Sequence, residues 1–236
     1  MTAKPELRER AWRALEAAGA ARFPGARGRI PNFVGAEAAA KRLAEIEPFR
    51  SARVLKCNPD SPQRPVRHAA LKAGKVVLMA VPKLAERALF LRLDPDRIDD
   101  LWKASSIKGA GRVGERITER EAGVVDLVVT GCVAVAPDGA RLGKGGGYSD
   151  LEYALLRELE LVDADTPIVT TVHDCQVRPA GAIPMDAHDI SLDLYCTPER
   201  TVRCDRAYRR PRGVDLDRLD RATIEAIPVL AERFEG

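Results

Sequence analysis

Aromatic residues are few in this sequence: 5 Phe, 4 Tyr and 2 Trp among 236 residues. Base-stacking platforms need aromatics in clusters, and none are present. Charge of one sign is lacking too. The 38 Lys+Arg stand against 35 Asp+Glu, a net of +3, so the basic excess that tracks a phosphate backbone is missing. A nucleic-acid partner is therefore not expected. No apolar run reaches the ~18 residues that a transmembrane helix needs. The opening MTAKPELRERAWRAL is charged, without the apolar core of a secretory signal. The five cysteines, Cys57, Cys132, Cys175, Cys196 and Cys204, are odd in number and form no Cys-x-x-Cys pair. They argue against a disulfide framework or a zinc knuckle and read as small buried thiols in a reducing compartment. The expectation is a soluble cytoplasmic protein with no membrane contact.

What is present is an alternation of helical and strand-like segments. Leu7, Ala11, Leu15 and Ala18 share one face of a predicted helix over 3–21, with Pro5 in its first turn. A second helix is predicted over 35–47, and others over 64–73, near 98–103, over 151–162 and over 215–234. The run Lys75–Val81, stopped by Pro82, is nearly all apolar and suits a strand buried on both faces. Further strands are predicted at 53–57, 124–130, 131–135, 167–172, 192–197 and 201–204. The fold class expected is α/β: an open, mainly parallel sheet with helices on both faces. One unit over 1–236 is expected, with a helical N-terminal part, 1–50, packed on it. Asp193 reads as a solvent-facing strand residue, Phe90 and Trp102 as packing anchors, with stacking on a planar ligand ring as the other reading, and Arg206–Arg212 as a solvated basic loop, with a hold on a polyglutamate chain or nucleic acid as the alternative.

The densest feature is Arg141-Leu142-Gly143-Lys144-Gly145-Gly146-Gly147-Tyr148-Ser149-Asp150, between a predicted strand and a predicted helix. Glycines let backbone N–H groups approach a phosphate, and the helix N-terminus after them adds partial positive charge. Lys144 and Arg141 add fixed charge. The order GxxxxGK[ST] of a P-loop is absent, as is the dinucleotide fingerprint G-x-G-x-x-G. On composition alone a flexible hairpin or lid remains open, and Asp150 can equally be a helix N-cap.

The loop resembles the signature of the 5-formyltetrahydrofolate cyclo-ligase (methenyltetrahydrofolate synthetase) family: an Arg, then G-x-G-x-G, two Tyr and an Asp. The matching residues are Arg141, Gly143, Gly145, Gly147, Tyr148 and Asp150; Ser149 stands at the second Tyr. Lys4-Pro5-Glu6-Leu7-Arg8 is similar to the family's opening K-x-x-L-R. Ile183–Asp193 is similar to its "P…HD…LD" segment, and Gln176 to the Gln before it. The resemblance implies a sheet fold like that of ribose-5-phosphate isomerases and CoA transferases. It also implies a reaction: ATP phosphorylates the formyl oxygen of 5-formyltetrahydrofolate, and ring closure yields 5,10-methenyltetrahydrofolate, ADP and phosphate.

On that resemblance Lys4, Arg8, Arg141, Lys144 and the stretch Gly143, Gly145, Gly146, Gly147 and Tyr148 surround ATP. Tyr148, Arg141 and Lys144 serve the transfer, Asp150 and Asp189 hold Mg²⁺, and Asp60 and His188 meet a reduced folate. The bland readings stay beside these: a solvated helix face for Lys4 and Arg8, a backbone-bonding loop residue for His188. The segment Lys56–Arg67 departs from the family pattern. With Gly-Lys-Gly-Gly-Gly-Tyr-Ser-Asp it is closer to the branch called methenyltetrahydrofolate synthetase domain-containing proteins. The alternative expectation is thus a nucleotide-binding paralogue without cyclo-ligase chemistry, with a binding or regulatory role that includes RNA association.

Overall fold

The computed structural model describes residues 3–81, 84 and 86–234. The strands, in chain order, are β1 (Val54–Cys57), β2 (Val76–Ala80), β3 (Phe90–Leu93), β4 (Glu115–Ile117), β5 (Leu127–Val129), β6 (Ala134–Val135), β7 (Arg141–Leu142), β8 (Ile168–Thr171), β9 (Leu194–Cys196) and β10 (Thr201–Arg203). The helices are α1 (Lys4–Ala17), α2 (Ala36–Ala44), α3 (Arg64–Lys72), α4 (Leu101–Ala104), α5 (Ile107–Val113), α6 (Glu119–Ala122), α7 (Tyr148–Glu158), α8 (Arg221–Glu225) and α9 (Pro228–Phe234).

Eight strands form one sheet in the order β10-β9-β8-β5-β1-β2-β3-β4, and β6 and β7 pair separately as a hairpin. The five central strands, β9 to β2, are parallel. The strands β10, β3 and β4 add antiparallel edges. The mainly parallel, open sheet expected from the alternation is what forms. Its central strands are buried on both faces because their side chains alternate into two separate cores, while the edge strands β10 and β4 are largely exposed. Val77, Met79, Leu127, Val129 and Val169 point into one, with α2 and α3 residues. Leu78, Val128 and Ile168 point into the other, with Tyr153 and Leu156 of α7. Each fully buried Leu or Val contributes roughly 1.5–3 kcal/mol. A third cluster joins Leu7, Ala11, Trp12 and Leu15 of α1 to the β6–β7 hairpin through Val133, Ala134 and Leu142.

From β1 the chain moves through α3 to β2 on one side, whereas β5 leads to β8 and β9 on the other. The switch point therefore lies between β1 and β5, where an open parallel sheet leaves a crevice beyond its strand ends. Asn58–Asp60 and Thr130–Gly131 leave the sheet there.

Some boundaries differ from expectation. The helix predicted at 151–162 starts at Tyr148 and ends at Glu158, with Gly147 at its N-cap in a left-handed conformation (φ 70°). Asp150 is thus in the first turn, not at the cap. Ala18 lies past the end of α1 and is exposed. The predicted closing helix over 215–234 is broken into a 3-10 turn, α8 and α9, since Pro228 cannot donate to a continuous ladder. Pro82, read as the stop after β2, lies outside the described residues.

Three side-chain readings are also corrected. Asp193 sits just before β9, where strand alternation does not apply, and its side chain is only 11% exposed. It accepts hydrogen bonds from Ile168 N at 2.7 Å and Arg210 Nη2 at 2.5 Å, and pairs with Arg206. Arg210 is therefore no solvated loop residue; it pins the basic run to the sheet. Phe90 is buried as expected, but Trp102, on the four-residue α4, is 46% exposed. Its ring is covered by the Arg64 guanidinium 4.0 Å from its centroid and by the edge of His68.

Candidate active site

The floor of the crevice is the end of β1. The Lys56 ammonium is buried, 2.9 Å from Glu152 Oε1 of α7, and donates to Asn58 Oδ1 at 2.8 Å. Asn58 Nδ2 donates to Ser149 Oγ at 3.0 Å. A polar chain thus ties strand end to helix start. Burial pushes the Glu152 carboxyl above its ordinary range, against the pull of Lys56. The turn after β1 is held by Arg67, wholly buried in α3. Its guanidinium donates to the Asn58 carbonyl, to Asp60 O and Pro59 O at 3.2 Å, and to Ser105 O at 2.8 Å. Asp60 is thereby fixed at the crevice. Burial raises its carboxyl pKa, with Lys144 and Arg67 pulling the other way.

Above the floor runs the glycine-rich loop, residues 143–147, between β7 and α7. Among the described residues no acceptor takes the backbone N–H groups of residues 144–149. Such a row of free donors at a helix start is an anion cradle. Gly145 has φ 108°, and a Cβ there would lie 3.3 Å from the Arg8 guanidinium carbon. Arg8 Nε donates to Gly143 O at 2.7 Å, which fastens the loop to α1. Burial lowers the Arg8 pKa. Lys144 and Tyr148 are exposed at the mouth, and Lys144 has no ion pair among the described residues.

Arg141 behaves differently from the other cations. Its side chain is 2% exposed, with Nη2 donating to Asp150 Oδ1 at 2.6 Å and Nη1 to Gly131 O at 3.0 Å. Burial works against its charge, and Asp150 more than restores it. Asp150 Oδ1 also accepts from Ile190 N at 3.0 Å. The arginine is spent on positioning the carboxylate and the β5 end.

The third wall is the segment 186–190. Lys4 Nζ donates to Asp186 Oδ2 at 2.7 Å and to Asp189 Oδ2 at 2.5 Å. Burial opposes its charge, but these two partners raise the Lys4 pKa. Asp189 Oδ2 also accepts from Asp186 N at 2.7 Å. Asp186, His188 and Asp189 offer ligand atoms within 4.8 Å of one another. That trio does not include Asp150.

The loop, Asp186, His188, Asp189, Lys4, Arg8, Asn58, Asp60, Arg141, Asp150 and Glu152 line one cavity of about 590 Å³, with Lys56 and Arg67 behind its wall. Every residue picked from sequence as a site residue lies on it: Lys4, Arg8, Asp60, Arg141, Gly143 to Gly147, Tyr148, Asp150, His188 and Asp189. Lys4 and Arg8 are not on a solvated helix face; α1 turns them inward because Leu7, Ala11 and Leu15 hold its apolar side on the hairpin. Sequence reasoning missed Lys56, Asn58 and Glu152, as well as Asp186 and Arg218 at the rim. A lysine inside the apolar strand Val-Leu-Lys-Cys was the available signal for the first. Gln176, by contrast, is a buried structural residue, donating to Cys132 O and Val133 O at 3.1 Å.

Comparisons with known proteins agree with this arrangement. The family model described as the 5-formyltetrahydrofolate cyclo-ligase family matches residues 1–198. The methenyltetrahydrofolate synthase domain-containing protein of Mus musculus is 38% identical over 231 residues, 96% of this chain and 62% of its own length. The Homo sapiens protein of the same name is 35% identical, over 96% of this chain and 60% of its own. The chain thus spans about three fifths of the curated relatives it matches. The NMR structure of Aquifex aeolicus 5,10-methenyltetrahydrofolate synthetase superimposes with a TM-score of 0.54 at 20% identity, covering 86% of this chain and 93% of that one. At that identity the likeness speaks for the fold alone. The ordered motifs, the crevice they build and the match over residues 1–198 place this chain in the 5-formyltetrahydrofolate cyclo-ligase family.

Proposed function

We propose that this protein catalyses the ATP- and Mg²⁺-dependent cyclisation of 5-formyltetrahydrofolate to 5,10-methenyltetrahydrofolate. The observation that carries the reading is the convergence, on one cavity, of an N–H cradle, the cations Arg8 and Lys144, and the carboxylates Asp60, Asp150 and Asp189, from segments far apart in sequence. The formyl oxygen attacks the γ-phosphorus of ATP, and the bond to ADP breaks. N10 then attacks the activated formyl carbon and gives up its proton to water, and phosphate leaves with the former formyl oxygen.

In this reaction the protein's work is positioning and charge neutralisation. The N–H groups of residues 144–149 and the Lys144 ammonium hold the phosphate chain. Arg8, fastened to Gly143, flanks it. The Tyr148 hydroxyl orients the transferring group. Asp60 and His188 face the pterin side. Arg141 is a positioning residue that aims Asp150. The donor set fits a hard cation: Asp150 Oδ2 and Asp189 Oδ1 accept no protein hydrogen bond among the described residues. Asp189, with Asp186 beside it, would hold Mg²⁺ directly, and Asp150, outside that cluster, would meet the cation's water shell; the ion would supply further neutralisation of phosphate charge. We further propose that the chain acts as one unit in the cytoplasm; no described helix is long and apolar enough to cross a membrane.

The decisive assay follows ADP release and methenyl absorbance with Mg-ATP and 5-formyltetrahydrofolate. Both should appear together and depend on both substrates. Binding of ATP without folate-dependent ADP release would overturn the proposal. It would favour the second reading, a nucleotide-binding paralogue with a regulatory or RNA-associated role. One observation favours that reading: Ser149 sits where the family pattern has a tyrosine, and its hydroxyl is engaged by Asn58.

A further inference from the structure

The basic run Arg206–Arg212 has no part in the site above, and it lies beyond the residues matched by the family model. It borders a second, open cavity of about 450 Å³, lined by Arg206, Tyr208, Arg209, Arg210 and Arg212, by Arg157 and Tyr153 of α7, and by Ser191. None of these residues lines the first cavity. In a chain whose charges nearly balance, five guanidiniums here converge on one space. Asp193 neutralises Arg206 and Arg210 from below. Arg209 and Arg212 have no ion pair among the described residues. The nearby Glu158 carboxylate is turned to Val214 N and toward Arg233. Tyr153 is 1% exposed, and its hydroxyl, beside Arg210 and Arg157, has no hydrogen-bond partner of ordinary geometry. A buried hydroxyl without a partner is costly, and one lining a cationic cavity has its partner supplied by a ligand oxygen.

We propose that this cavity is a second anion site, which binds a small, multiply charged phosphate compound. A lone carboxylate is satisfied by one planar guanidinium fork. Arg210 is held by Ser191 O, Thr166 O and Asp193, so the forks of Arg209 and Arg212, with Arg206, Arg157 and the Tyr153 hydroxyl around the same space, suit linked tetrahedral groups with many acceptor oxygens. Asp193 keeps Arg206 and Arg210 in place before the ligand arrives, so less side-chain order is lost on binding. Arg209 and Arg212 supply the unpaired charge. The volume fits a small molecule; Tyr153 and Tyr208 are its two aromatic lining residues, and the Tyr208 hydroxyl is taken up by Asp138.

The test is calorimetric titration of the full chain with pyrophosphate, at fixed ionic strength, beside Arg209→Ala/Arg212→Ala. A binding event that weakens at least about ten-fold in this variant is expected, since two charge-assisted contacts are lost. Tyr153→Phe should weaken the same event and leave the fold intact by circular dichroism. A separate event lost only in Lys144→Ala belongs to the glycine-rich loop, so the two sites are told apart whatever that loop binds. An isotherm unchanged by Arg209→Ala/Arg212→Ala would overturn the proposal. So would equal responses to sulfate, citrate and pyrophosphate, which mean screening alone. Binding of a single-stranded oligonucleotide that the same substitutions abolish, with pyrophosphate ignored, would also overturn it.

Discussion

Lys56 places an ammonium in the interior of a parallel sheet, where an unpaired charge would not be tolerated. It is tolerated because the Glu152 carboxylate lies 2.9 Å away as its counter-charge and Asn58 Oδ1 accepts a hydrogen bond from it. Removing one partner should hurt far more than removing both. Lys56→Met leaves Glu152 buried and uncompensated and should cost about 3–5 kcal/mol in urea denaturation. Adding Glu152→Leu should recover most of that loss; a double variant no more stable than the single one contradicts the pairing. Asp60 makes a pH argument of the same kind. Burial raises its pKa above the unfolded value, so the fold holds its proton more tightly than the unfolded chain does. The associated stability is full below the unfolded pKa of 3.8 and is lost as pH rises through the folded value. Asp60→Asn should therefore gain stability relative to the parent as pH climbs from 4 towards neutrality, roughly the range over which a shifted carboxyl titrates. A stability difference flat across that range in denaturation curves would contradict the shift. The same substitution should weaken folate-dependent turnover.

At the scale of elements, the glycine-rich loop works because three pieces hold it: β7 before it, α7 after it and α1 across it. Gly145 needs its positive φ, and its missing Cβ leaves room for Arg8. Gly145→Ala should cost about 1–3 kcal/mol through backbone strain and should displace Arg8 from Gly143 O. In the proposed reaction the larger effect falls on ATP. KM for ATP should rise with little change in KM for folate, and a uniform change in both would point to general unfolding instead. Arg8→Ala and Lys144→Ala act on the cradle directly and should each lower kcat/KM by about 10²–10³-fold, as loss of one preorganised donor does. Arg141→Lys should be no substitute for arginine. A lysine cannot bridge Asp150 and Gly131 O with one planar group, so activity should fall together with thermal stability.

For the whole molecule, the two cores on either face of the sheet also hold four of the five thiols, and Cys175 packs against the α1 cluster. All five cysteines are free. Burial pushes Cys132 up to about 11 and Cys204 up to about 12. Thiolate, the reactive form, is then scarce at neutral pH. Native protein should react slowly with a disulfide reagent at the buried Cys57, Cys132 and Cys196 and release these three thiols only on unfolding; fast labelling of Cys132 in the folded state would contradict its burial. The same global frame explains the site. Lys4, Asp60, Lys144 and Asp189 meet because the strand order reverses between β1 and β5, leaving a crevice that α1 and the segment 186–190 wall in.

Periodicity and turn residues in the sequence were enough to read the alternation of strands and helices, the double-faced burial of β2 and the glycine-rich loop, because those are local properties of the chain. The ordered motifs also marked the residues that line the main cavity. Tertiary structure alone decided what each charge does there. Arg141 is placed on the cavity wall and paired with Asp150, a contact that no local pattern shows. Asp193 looked solvent-facing until Arg206 and Arg210 closed over it. Lys56 gave only the oddity of a charge in an apolar strand, since its partner Glu152 is distant in sequence. A side chain's type fixes the charge it carries, but its role depends on which opposite charges the packed fold leaves within reach.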